Sequence, residues 1–324
     1  MLTVIIPTYN RKDVLIRVLE AFDRQTFSVA NFEIIIVDDG SRDGTQESVL
    51  KFSKSGRLNI RYFYQKNKGP AVARNLGIKE AKYPLVLFIN DDTIPADDFL
   101  EQHIACHQKW PEENVAVLGY ATWAEGISVP IFASHYLIGE FNKIKGLAEA
   151  RPIDFITCNI SVKKDFLVEN GLFDEDFPYA AHEDRELGHR LGKKGLRIMY
   201  NPDACVYHYH IFQDPEPFIL HNKNLGAALA IWESKLPDEK NVLFEFGLRD
   251  YSSLEKIIRE VLRELFFNSK VLPLWIWIIS KFIKKESLQW YIYSHLMAQA
   301  QKEGFRSQKY LMKLKNKRKG RDVS

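Results

Sequence analysis

Cysteine is scarce in this chain. Cys106, Cys158 and Cys205 are the only three in 324 residues, and they are far apart. Neither a disulfide framework nor a zinc spacing follows from them, so a reducing compartment is expected. No basic-then-apolar leader precedes Val4-Ile5-Ile6, so no secretory signal is expected. A bilayer span needs about 20 apolar residues. The markedly apolar stretch from Val271 to Ile279 is much shorter than that. No Gly-x-Gly-x-x-Gly follows the first apolar run, which disfavours a dinucleotide-binding Rossmann domain, and no Gly-x-x-x-x-Gly-Lys phosphate loop is present. Basic charge is sparse outside the C-terminus. Residues 302–322 hold nine Lys or Arg against two acids, a surplus of seven, so the whole-chain +3 leaves the remainder at −4. A slightly acidic body argues against a nucleic-acid surface across it.

What is present is an ordinary globular composition, 46% apolar and 27% charged, enough for one large domain with an appendage or for two domains. The organising stretch is Phe88-Ile89-Asn90-Asp91-Asp92. It follows Leu85-Val86-Leu87 and precedes Thr93-Ile94-Pro95. A short apolar run closed by turn residues reads as a buried parallel strand. Two adjacent carboxylates at its end repel each other and are partly desolvated. A hard divalent cation with oxygen ligands would compensate them, and the carboxyl end of a strand is where open α/β sheets bind ligands. The bland alternative is a solvated turn capping the next helix.

The rest of the first two hundred residues repeats that grammar. Val4 to Thr8 reads as a strand, and Val14, Leu15, Val18, Leu19 and Phe22 then recur at helical spacing. Phe32 to Val37 reads as a strand ending in Asp38-Asp39-Gly40-Ser41, with a helix after Asp43-Gly44-Thr45. Ile60 to Tyr64 is a third strand, and Pro70 suits the first turn of a short helix. Alternating strands and helices of these lengths make a parallel α/β sheet. Further strands are expected over Val115 to Tyr120, from Thr157 to Val162, over Arg197 to Tyr200 and again from Asp203; residues 121–157 read as irregular, with loops and edge strands expected there. A helix begins near His182-Glu183-Asp184, where the helix dipole favours carboxylates. From Asp203, polar and apolar residues alternate, so His208 and His210 share one strand face. Such a pair can ligate a metal, although in a soluble protein it is more often surface or packing histidine.

Seven pieces, in order, resemble family 2 glycosyltransferases of the GT-A fold: VIIPTYNR at 4–11, VDDGSRDGT at 37–45, NKGPAVARNLG at 67–77, FINDDTIP at 88–95, GLFDEDF at 171–177, HEDRELGHRL at 182–191 and VYHYH at 206–210. The resemblance covers residues 1 to about 215. It implies a Rossmann-like, mostly parallel α/β sheet in a catalytic domain over 1–215, followed by a helical extension with a basic tail over 216–324. It also implies an inverting transfer from a nucleotide-sugar donor (UDP-, GDP- or dTDP-linked) with a divalent cation, Mn²⁺ or Mg²⁺. The acceptor would be a glycan or a lipid-linked hydroxyl, with no nucleic-acid partner.

Residue by residue, the resemblance makes Asp39 the carboxylate that recognises the nucleotide base, with Pro7, Thr8 and Tyr9 lining its pocket. Arg74 would lie near the donor. Asp91 and Asp92 match the acidic metal motif, Asp92 being the expected ligand. Asp184 matches the catalytic base, beside Glu183, whose expected part is to orient the acceptor or Arg185. His208 matches a histidine near metal and diphosphate. The motif often begins with Asp and here begins with Asn90, which lowers the charge of the site. Two other classes remain open: a sugar-phosphate nucleotidylyltransferase, disfavoured by Pro7-Thr8-Tyr9-Asn10 where that class has a Gly-rich loop, and a silent nucleotide-sugar-binding protein that keeps the fold.

From Pro215 the pattern turns helical, with helices expected over Phe218 to Trp232 and Leu254 to Phe267. The Val271 to Ile279 stretch reads either as a helix buried against the catalytic domain or as an interfacial segment, since Trp beside Lys suits a membrane surface. The basic tail reads equally as a solvated end or as an anchor for an anionic membrane surface. The expected location is cytoplasmic, with peripheral attachment at the inner membrane face held open.

Overall fold

The structure, a computed structural model, describes residues 1–319 except 135, 137, 210–212, 237–238, 240–242, 244 and 247–253. The expectation for His210 and the last five residues of the basic tail therefore lie outside the described residues. The chain divides into two compact units, Met1–Ser128 with Tyr136–Ile211, and Val129–His135 with Phe212–Ser324.

The first unit is built on a nine-stranded sheet in the order β3-β2-β1-β4-β8-β6-β9-β5, with β7 paired to β9. The strands are β1 (Leu2–Thr8), β2 (Phe32–Asp38), β3 (Ile60–Tyr64), β4 (Leu85–Ile89), β5 (Thr93–Pro95), β6 (Val115–Trp123), β7 (Glu149–Ala150), β8 (Asn159–Lys163) and β9 (Arg197–His208). β3, β2, β1 and β4 run parallel. The apolar runs of β1, β2 and β4 are buried, as strands covered on both faces require. Beyond β4 the sheet is mixed, because β8 pairs antiparallel with both β4 and β6. Helices α1 (Lys12–Asp23), α2 (Thr45–Ser55), α3 (Pro70–Glu80) and α4 (Phe99–Lys109) are the early crossovers. α1 buries Leu15, Val18, Leu19 and Phe22, the stripe expected from their spacing.

Two readings change here. The two strands expected around 197–210 are one strand, β9, with a register shift against β6 between Gly119 and Tyr120. The shift steps over Pro202, which has no N–H to give to a ladder. The stretch expected to hold loops and edge strands does contain the short strand β7, but it also contains a helix, α5 (Ile138–Asn142), and a 3₁₀ turn at Pro152–Asp154. Two more helices follow, α6 (Lys164–Asn170) and α7 (Glu183–Gly192).

A buried polar network ties α4 to β8. His103 Nδ1 lies 2.8 Å from Ser161 Oγ and its Nε2 lies 2.9 Å from Asn159 Oδ1, while His107 Nε2 lies 2.9 Å from Ser161 Oγ. The amide of Asn159 donates to the carbonyls of Tyr120 and Ala204. Burial pushes His103 down to about 4, and burial, aided by Lys163 and His103, pushes His107 down to about 3. Both rings are therefore held neutral in the fold. Below the ordinary histidine value of 6.5 the unfolded chain binds protons that the folded chain refuses. The stability present above that value should drain away as the pH falls through it toward about 4. Thermal midpoints should drop on acidification from neutral, and His103→Gln should flatten the slope.

The second unit is helical: α8 (Pro215–Lys235), α9 (Leu254–Phe266), α10 (Leu272–Phe282) and α11 (Glu286–Lys319). Its core includes Phe132, Phe218, Ile292, Tyr293 and Leu296. α8 and α11 approach backbone to backbone at two glycines. A Cβ on Gly226 would run into the carbonyl of Gln301, and one on Gly304 into that of Lys223. Gly304→Val should therefore force the helices apart and destabilise by about 1–3 kcal/mol or more, read as a lower melting temperature. Much of the basic tail is helix. Lys302 is buried between Glu260 and Glu264, Arg306 pairs with Glu264, and Lys309 pairs with Glu233. Among the described residues, no helix is long and apolar enough to cross a membrane.

Candidate active site

Because β1, β2 and β4 are parallel neighbours, their carboxyl ends share one edge of the sheet. That edge receives Thr8 from β1, Asp38 and Asp39 from β2, and Asn90, Asp91 and Asp92 from the turn after β4. Thr8 Oγ1 donates to Asp91 Oδ2 at 2.8 Å. Arg11 lies across both acidic side chains, 3.1 Å from Asp91 Oδ1 and 2.5 Å from Asp92 Oδ2. All four acids and Thr8 are buried: Asp38 1%, Asp39 6%, Asp91 6%, Asp92 4% and Thr8 3% exposed. Burial pushes the Asp91 carboxyl up to about 6, against the pull of Arg11.

β5 explains why His208 joins them. It pairs antiparallel with the end of β9, setting Thr93 opposite His208, and Tyr209 N–H donates to the Asp92 carbonyl at 2.8 Å. His208 Nε2 then lies 3.6 Å from Asp92 Oδ1, its ring edge against Trp123.

α7 brings the remaining acids. It begins after His182, which adopts a left-handed φ of +62°, a conformation uncommon outside glycine. Glu183 is buried. One of its oxygens accepts from Arg74 Nη1 at 2.7 Å, the other from Ala181 N–H at 2.6 Å. Burial and then Asp184 raise its pKa, with Arg74 opposing. Arg74 also reaches Asn90 Oδ1 at 3.4 Å. Asp184 is only half-buried. Its Oδ2 accepts from the N–H and hydroxyl of Thr157 at 3.2 and 3.3 Å, and its Oδ1 from Arg185 N–H at 2.8 Å. Cys158 is buried, and burial first, then the charges of Asp184 and Asp92, push its thiol up to about 12.

Asp39 stands slightly apart. Its N–H donates to the Thr8 carbonyl, and its carboxylate accepts from Gln65 Nε2, Lys68 N–H and Gly69 N–H at 2.7–2.9 Å. It therefore shapes the loop that opens α3. Gly69 in that loop has φ +95°, and a Cβ there would press on Pro178. Pro7 pairs with Val37 inside the sheet, whereas Tyr9 is 48% exposed at the strand's end. Arg11 was missed as a site residue although it stands in the opening motif. Its pairing with acids eighty residues away has no local signal. Thr157 and Cys158 were missed for the same reason.

Asp91 and Asp92 share a single guanidinium, that of Arg11, so that end of the site can accept further positive charge. Among the described residues, no group of three or more His, Cys, Asp and Glu side chains is arranged to hold a metal ion alone. Asp92 with His208 is instead a two-donor set of the kind that binds a hard cation together with substrate phosphates and water. The residues present fit a divalent cation in that shared manner.

Residues 3–144 match the family model "Glycosyl transferase family 2". The chain is 30% identical over 236 residues to validoxylamine A glucosyltransferase of Streptomyces hygroscopicus subsp. jinggangensis (strain 5008), covering 63% of this chain and 54% of that protein. It thus spans about half the length of the curated relatives of this kind. The mannosyltransferase PcManGT from Pyrobaculum calidifontis, in complex with GDP-Man and Mn²⁺, is similar in structure with a TM-score of 0.64 at 20% identity, over 93% of this chain and 86% of that one. TarS 1-349 of S. aureus in complex with UDP-GlcNAc gives 0.53 at 19% identity, over 95% and 91%. Likeness at these identities speaks for the fold.

Proposed function

Because residues 3–144 belong to glycosyl transferase family 2, we propose that this protein transfers a sugar from a nucleotide-diphosphate-sugar to an acceptor hydroxyl with inversion. The fold is the GT-A α/β arrangement with C-terminal helices. The observation that carries the reading is the link between the two ends of the site: Asp92 beside His208 at the turn after β4, and Arg74 reaching from Asn90 in that turn to Glu183, next to Asp184 at the start of α7. This gives one carboxylate for the leaving diphosphate's side and one for the acceptor's.

Asp184 is the general base. It takes the proton from the acceptor hydroxyl as that oxygen attacks the anomeric carbon. Its part-buried carboxylate is aimed by Thr157 and the Arg185 N–H, whereas Glu183 is buried and ion-paired with Arg74. Glu183 therefore acts by positioning Arg74 and the start of α7. Asp92 and His208 would hold Mn²⁺ or Mg²⁺, which when bound supplies Lewis-acid stabilisation to the leaving diphosphate. Asp91, held by Thr8 and Arg11, keeps the turn that presents Asp92. Pro7, Thr8, Tyr9 and the Asp39-ordered loop form the nucleotide-base wall. We take the acceptor to be a glycan or a lipid-linked saccharide. GDP-Man in PcManGT and UDP-GlcNAc in TarS support a nucleotide-sugar donor of this general kind.

A ligand that binds only the folded state raises the melting temperature. UDP-, GDP- and dTDP-sugars screened with and without Mn²⁺ should give at least one clear, cation-dependent shift. A panel with no shift would leave a silent fold-keeper as the better reading.

A further inference from the structure

α9 is packed inside out. Its charged side faces the protein: Glu260 is buried, Lys302 of α11 pairs with Glu260 and Glu264 at 3.4 and 3.1 Å, and Arg306 pairs with Glu264 at 2.7 Å. Its apolar side faces solvent. Ile258, Val261, Leu262, Leu265 and Phe266 recur at helical spacing and are each 50–63% exposed. A surface helix ordinarily buries that stripe and wets the other. α10 continues the same surface. Trp275 Nε1 donates to the Phe266 carbonyl at 2.6 Å and its ring stacks on Phe267, clamping α9 and α10 into a hairpin. Of the helix read as a buried element or an interfacial segment, only Ile279 is buried, while Leu274, Trp277 and Phe282 are 52–67% exposed.

We propose that the α9–α10 hairpin is a docking surface for an anionic lipid bilayer. Charge selects this occupant. From Leu265 to Lys285 the chain carries four lysines (Lys270, Lys281, Lys284 and Lys285), all exposed, and no acid. Lys281 shares the face of Leu274 and Trp277, at i, i+3 and i+7. Apolar residues flanked by Lys, with Trp at the border, match a helix lying in the headgroup region. A two-fold contact with a second copy would instead press this lysine-bearing, acid-free patch against a copy of itself. The inference does not depend on the reaction proposed above, and it moves the lipid contact from the basic tail to a folded surface.

The test is co-sedimentation of the full chain with phosphatidylcholine vesicles, with and without phosphatidylglycerol, at low and high salt. Wild type should bind the anionic vesicles and bind less as salt rises. Trp277 emission should shift to the blue on binding, a signal that Trp277→Phe removes. The double variant Leu262→Glu with Leu265→Glu should lose at least tenfold in vesicle binding, with its far-UV circular dichroism unchanged. Reversing Lys281, Lys284 and Lys285 to Glu should abolish the preference for phosphatidylglycerol. Wild type that ignores anionic vesicles at low salt overturns the proposal. So does vesicle binding unaffected by the double variant, or concentration-dependent self-association that the double variant abolishes without vesicle binding.

Discussion

Asp184→Asn should lower the turnover of sugar transfer by a factor on the order of 10²–10⁴, the range for loss of a general base, while donor affinity stays near wild type and the melting temperature falls only slightly. The amide keeps the size of the side chain and its oxygen can still accept from Thr157, at the cost of setting its NH2 against the Arg185 N–H, but it no longer takes a proton. The neighbouring acid should behave in the opposite way. Glu183→Ala leaves Arg74 buried without its 2.7 Å partner, and breaking a buried pair from one side costs about 3–5 kcal/mol. Its signature is a fall in melting temperature as well as in rate. Steady-state kinetics beside thermal melts separate the two. Collapse of donor affinity in Asp184→Asn would make Asp184 a donor-site residue and remove it from the role of base.

Asp92→Ala should abolish measurable transfer without unfolding the protein. It removes the carboxylate that lies both 2.5 Å from Arg11 and 3.6 Å from His208, and with it a ligand of the cation proposed to neutralise the leaving diphosphate. Because Arg11 retains Asp91 at 3.1 Å, the turn after β4 should survive, so circular dichroism and the melt should change little. Mn²⁺ binding, followed by the quenching of its free electron-spin signal, should weaken strongly in the same variant. Wild-type activity in excess chelator, or full activity of the variant, would end the metal assignment.

The parallel half of the sheet was legible because its strands carry their signal locally. β1, β2 and β4 are short apolar runs closed by Thr8, Asp38-Asp39 and Asn90-Asp91-Asp92, and β3 spans Ile60–Tyr64 as expected. The other half depends on long-range pairing. β5 has only three residues and exists because β9 returns beside it. β9 reads as two strands because Pro202 interrupts its pattern, and only the bulge opposite Gly119 lets it run through. The acids of the site stood out as pairs at strand and helix ends. Their partners did not: Arg11, Thr157 and Cys158 are ordinary residues until the fold places them. The orientation of α9 was not legible for a related reason. Its amphipathic pattern announces a helix, but not which side faces outward, since that is decided by Lys302 and Arg306 more than forty residues later.

The central claim is tested most directly by nucleoside-diphosphate release. Purified full-length protein is incubated with the nucleotide-sugar that gives the largest melting shift, with Mn²⁺, with chelator, and as the Asp92→Ala variant. The account predicts release of the diphosphate by wild type with Mn²⁺, by hydrolysis alone or faster with an acceptor, and near-background release in the other two. Release unaffected by chelator and by Asp92→Ala, or none from any donor that binds, would contradict it.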